Sequence, residues 1–159
     1  MSTINATTLK ATTLQHTNGT TALTINSSGL ILTANNPFFM GRPSIDYSSG
    51  GAPAGTMGIT SLVNNGNHFN SGNSRFTAPI TGYYQTTWGG LQLPNGVTSL
   101  MVNGVRTYNG NHFVTSPSYI TVTQTAVVLL NAGDYLSIEQ WNGGGYYLAW
   151  WLWSVVLLG

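Results

Sequence analysis

The side chains able to do chemistry are few. The chain has three carboxylates, Asp46, Asp134 and Glu139, three histidines and no cysteine. Glycoside cleavage needs two carboxylates roughly 5 to 9.5 Å apart across a sugar. Only Asp134 and Glu139 are near in sequence, and five steps apart on a strand they face opposite ways. No G-x-S-x-G nucleophile elbow, phosphate loop or dinucleotide fingerprint occurs. The expectation is a protein that is not an enzyme. "NGNHF" appears at 65–69 and again at 109–113, each time an Asn-Gly turn followed by His and Phe. His68 and His112 could gather on a symmetry axis around a metal, or could simply sit at two similar hairpin tips. No Cys, Asp or Glu lies beside either to orient an imidazole, so neither a metal nor another cofactor is expected.

The elements that would position any site are strands. No stretch sustains a helical period. "NG" turns recur at 18, 65, 95, 103, 109 and 142, with "SSGG" at 48 and "NAGD" at 131, separated by β-branched and aromatic runs. That pattern predicts an all-β sandwich or barrel. Strands are expected at 38–46, 58–63, 75–78, 82–91, 97–103, 105–108, 118–130, 134–141 and 146–158.

Composition narrows the partners. At 159 residues, 42% are hydrophobic and only 4% are charged, with a net charge of +1. The usual charged share is about 25%. Nothing here steers the chain toward nucleic acid or an anionic membrane. Such low charge suits a β-protein built into a larger assembly. The opening "MSTINATTLKATTLQ" has no apolar core of a secretory signal. Synthesis without a secretory leader is the corresponding expectation.

Residues 1–36 contain no aromatic residue, and Leu23, Ile25, Leu30 and Leu32 are spaced as short strands broken by "NSSG". With so little to bury, this segment is expected to be ordered by copies of itself or by a neighbouring protein, as an extended attachment or trimerisation device. A floppy tail is the plainer alternative. Residues 37–159 read as the main domain.

The chain closes on "YYLAWWLWSVVLLG" (146–159), in which 12 of 14 residues are apolar. A membrane helix needs about 20 such residues, and "WNGGG" at 141–145 blocks extension backwards. As a strand, it puts Ala149, Trp151, Trp153, Val155 and Leu157 on one face, and Leu148, Trp150, Leu152, Ser154, Val156 and Leu158 on the other. A soluble sandwich normally wets one face. Here both faces need cover, which predicts an oligomer, with Trp150, Trp151, Trp153, Val155 and Leu157 in the core or at the subunit interface.

"NHFNSGNSRFTAPITGYYQTTW" (67–88) resembles the signature of the complement component-one-q globular head, within the tumour-necrosis-factor-like jelly-roll superfamily. Phe76, Pro79, Gly82 and Tyr84 fall at its F-x-x-P-x-x-G-x-Y positions. "SLMVNGV" (99–105) looks like the hairpin that follows, and Gly133 and Asp134 in "VVLLNAGDYLSI" match the next motif. The closing "WSVVLLG" departs from the family's aromatic-Gly ending. The resemblance covers about 38–159 and implies an antiparallel jelly-roll homotrimer whose last strand runs through the inner sheet. The turn at 79–82 is expected to need positive φ at Gly82. The calcium sites of some relatives need clustered carboxylates that are absent here. The opening "MSTINATTLKATTLQ…NGTTALTINSSG" resembles those of bacteriophage virion proteins that precede a trimeric head. Together these imply a tail fibre or capsid decoration (head fibre) protein anchored through 1–36. A host-surface glycan or protein would meet loop aromatics such as Tyr47, Tyr108, Phe113 and Tyr119. A soluble lectin-like or adhesin-type module outside any virion is the alternative.

Overall fold

Alternating β-branched and aromatic runs form strands here because each can put one face into a shared core. The computed structural model describes residues 13–15, 18–19, 21–29, 31–32, 36–109 and 119–158. The chain divides into two compact units, Met1–Asn36 and Pro37–Gly159. In the first, β1 (Thr13–Gln15), β2 (Thr21–Ile25) and β3 (Ile31–Leu32) pair in that order as an antiparallel sheet. Between β2 and β3 the Asn26 side-chain oxygen accepts from the Ser28 N–H, and Gly29 turns at φ 77°.

The second unit is a two-sheet antiparallel sandwich, with no helix among the described residues. Its strands are β4 (Phe38–Pro43), β5 (Gly55–Thr56), β6 (Ile59–Asn65), β7 (Phe69–Asn70), β8 (Arg75–Thr77), β9 (Gly82–Gln92), β10 (Gly96–Val102), β11 (Val105–Asn109), β12 (Ile120–Leu130), β13 (Tyr135–Gly143) and β14 (Tyr146–Leu157). One sheet runs β12-β9-β14-β4-β6. The other runs β11-β10-β13-β8-β7, with β5 also paired to β13. The long strands lie close to the ranges expected from sequence. The two-residue strands β5 and β7 carry no periodic signal and are found only in the structure.

The core between the sheets is aromatic. Phe39 stacks on Phe69 at 4.0 Å, and Trp153 meets both edge-on at 5.0 and 5.8 Å. Trp153 is fully buried, and its indole N–H donates to Thr86 Oγ1 at 2.9 Å. That bond matters because a buried indole donor left unpaired is costly.

Two expectations fail locally. The alternation in β14 holds from Trp151 to Leu157, where Trp151, Trp153, Val155 and Leu157 are buried. It breaks before that. Tyr146 pairs with Gln92, but Trp151 pairs with Gly90, so five steps of β14 answer two of β9. The surplus chain bulges, and Ala149, expected on the same face as Trp151 and Trp153, is exposed while those two are buried. Trp150 is 71% exposed and is no part of the core. Gly82 does not have positive φ: it opens β9 paired with Leu130, a strand position rather than a left-handed turn. Gly133, at φ 92°, is a left-handed glycine at this end.

Candidate functional site

Among the described residues, no three His, Asp or Glu side chains come together as metal ligands. The carboxylates hold structure in place. Asp46 accepts the Ser48 N–H at 2.9 Å. Glu139 takes a two-nitrogen contact from Arg106, at 2.8 Å from Nε and 2.7 Å from the guanidinium tip. The same guanidinium lies 4.6 Å over the exposed Trp141 ring. His68 packs edge-on to Phe76 at 6.4 Å, and burial lowers its pKa. His112 and Phe113 lie outside the described residues.

The motif residues assemble one end of the sandwich. Phe76 and Tyr84 are buried with rings 5.8 Å apart, and the Tyr84 hydroxyl donates to the Ile80 carbonyl at 2.9 Å across the turn that holds Pro79. That turn is tied to the next one. The Ala78 N–H donates to the Asp134 carbonyl, and the Gly133 N–H to the Ala78 carbonyl, both at 2.8 Å. The Asp134 carboxylate accepts from Asn103 Nδ2 at 2.8 Å and from the Asn131 N–H at 2.7 Å. The Asn103 bond is the main reason its pKa falls below the usual carboxylate value. Asn103 in turn accepts the Tyr135 N–H at 2.9 Å. Sequence gave no sign of this 31-residue link between Asn103 and Asp134.

This braced end is also where the chain enters. The Leu157 N–H donates to the Pro37 carbonyl, and the Leu158 N–H to Tyr83. The opposite, distal end is sewn together by three loops. Tyr47 N–H donates to Tyr146, Ala52 N–H to Gly144, and Leu93 N–H to Gly145. Tyr119 is 52% exposed there, its ring 5.4 Å from that of Tyr147. Tyr47, expected to be an exposed loop aromatic, is half-buried because its ring packs edge-on against Tyr146 at 5.5 Å. Burial, and then the neighbouring Tyr47 and Asp46 groups, push the Tyr146 phenol up to about 12. Tyr108 is exposed on β11, partway along the opposite sheet, and so is not at the tip.

The largest uncovered feature is the outward face of the five-stranded sheet. It presents Tyr83, Val127, Leu129, Trp150, Leu152 and Leu158, each about half exposed or more. Arg42 is the one charged residue on that face among the described residues. Tyr83, Val127, Leu129 and Leu158 gather at the Pro37 end and Trp150 and Leu152 toward the other, with the hydrogen-bonded Thr87 and Thr125 hydroxyls between them. Exposed apolar patches mark interaction surfaces.

No family model matches the chain, and no curated protein matches it by sequence. Solved structures do. The globular domain of zebrafish complement 1qA is 17% identical, with a TM-score of 0.62 over 77% of this chain and 98% of that one. Murine APRIL is 11% identical, with a TM-score of 0.61 over 77% and 99%. The head shares the jelly-roll fold of these structures. The jelly-roll head therefore offers two surfaces, an apolar sheet face along its side and an aromatic tip at the end away from Pro37.

Proposed function

We propose that the chain is a bacteriophage virion protein. In this reading it is a homotrimeric surface fibre or capsid decoration protein, anchored by residues 1–36, whose head engages a host-surface receptor at its distal end. The apolar, nearly uncharged face of the five-stranded sheet carries the reading. In a monomer, Leu129, Trp150 and Leu152 would stand in water with few charges nearby to keep chains apart. Three copies packed face to face remove that area from water at about 25 cal/mol per Å². The threefold number follows from the family resemblance of the 76–84 motif, and the virion setting from the resemblance of the opening segment.

The division of labour follows from the chain path. Pro37 enters at the braced end, so an anchor upstream leaves Tyr119 and the distal loops facing away from the point of entry. The first unit has no aromatic residue to bury, and among the described residues β1 and β3 are the outer strands of its sheet. Outer strands pair readily with another protein.

A chain starting at Pro37 is expected to remain trimeric and to melt cooperatively, yet to be missing from purified particles that take up the full chain. Loss of the trimer on truncation would make residues 1–36 the trimerisation device. Incorporation of the truncated chain would place attachment in the head and count against a receptor-facing tip. A full chain that joins no particle at all would favour the soluble lectin-like module.

A further inference from the structure

Two departures from regularity lie side by side in the five-stranded sheet. The first departure is in β9. Gly89 and Gly90 have φ +133° and +156°. A Cβ on Gly89 would lie 2.0 Å from the Val122 carbonyl oxygen, and one on Gly90 2.1 Å from that of Trp150. Both neighbouring strands thus close on a backbone that has no room for side chains. The second departure is the bulge of β14 opposite, which ends on Trp150.

Together they shape the outward face. A recess of about 290 Å³ opens there, lined by Gly89, Gly90, Thr87, Thr121, Thr123 and Leu152. Trp150 stands at its rim with 71% of its surface exposed. A cavity of about 150 Å³ takes a benzene ring, so this recess is large enough for the two rings of an indole. A buried Trp hides roughly 150–250 Å² and is the commonest kind of interface anchor.

We propose that Trp150 of one chain seats in the Gly89–Gly90 recess of a neighbouring copy, so that each protomer gives one knob and receives one. The contact rests on the trimeric reading above and sets the register of that trimer. The occupant is a second copy for two reasons. Knob and recess lie side by side on one face of the chain, so a copy that presents this face supplies both, and each protomer can give one Trp150 and receive one. The recess and its surroundings carry no charged residue apart from Arg42 on β4, so a charged partner would bury unpaired charge there. A copy of this face brings the same uncharged lining.

Trp150→Ala tests the contact without touching the core, because the side chain is exposed within its own chain. The variant should keep the near-ultraviolet spectrum of a folded head. The chain concentration at which half the trimer dissociates should rise at least ~30-fold, the size of effect an interface anchor gives. Thr123→Phe, which fills the recess from an exposed strand position, should weaken the trimer similarly. In the parent, the fluorescence lost on Trp150→Phe should be blue-shifted and shielded from acrylamide. A trimer whose dissociation is unchanged by Trp150→Ala, with Trp150 open to quencher, would overturn the contact and leave the trimer standing. A parent chain that is monomeric at micromolar concentration would overturn both.

Discussion

Replacing Trp153 by alanine is expected to cost the head about 3–5 kcal/mol, the range for truncating a fully buried Trp. The site offers little relief. Trp153 is fully buried against Phe39 and Phe69, which are themselves stacked, so the void left behind would be walled by large rings with little freedom to collapse. Thr86 Oγ1, also fully buried, would lose its indole donor. In the proposed trimer unfolding is coupled to dissociation, so parent and variant are compared by chemical denaturation at one chain concentration. A midpoint shift equivalent to less than about 1 kcal/mol would mean that the core is not organised around this residue.

Gly90→Ala should be still more damaging, above about 4 kcal/mol, and is expected to leave little folded protein. Two effects combine. The φ of +156° is one that L-residues rarely adopt, and the new methyl would run into the backbone of β14 at Trp150, 2.1 Å from its carbonyl oxygen. Gly133→Ala separates them. Its φ is +92°, but nothing lies within 4 Å of a Cβ there, so only the conformational strain of about 1–2 kcal/mol should appear. Thermal melts of the two variants would check the comparison. Equal effects would mean that β14 can move away from β9, and that the recess is not a fixed feature.

Much of the head was legible because its signals are local. The period-two runs in β9, β12 and β14 and the Asn-Gly turns between them locate the strands. The motif around Phe76, Pro79 and Tyr84 works through neighbours four to eight residues apart, as in the Tyr84–Ile80 hydrogen bond. What escaped depends on pairing between distant segments. Simple alternation put Ala149 on the same face as Trp151 and Trp153, because the bulge before Trp151 is defined only against Gly90 on another strand. "GG" within the run "TTWGGLQL" was the available clue, since glycines inside a strand often mark a bulge or a close backbone approach. Tyr47 looked like a loop aromatic because its partner, Tyr146, is almost a hundred residues away. Positive φ was assigned to Gly82 from its place in a turn motif, whereas β9 begins at that residue.

The central claim is that the apolar sheet face is a surface where three copies meet. Sedimentation equilibrium of the full chain at micromolar concentration tests it most directly. A single species of three 16.9 kDa chains is expected. A soluble, stable species of one 16.9 kDa chain, with Trp150 and Leu152 left in water, would contradict it.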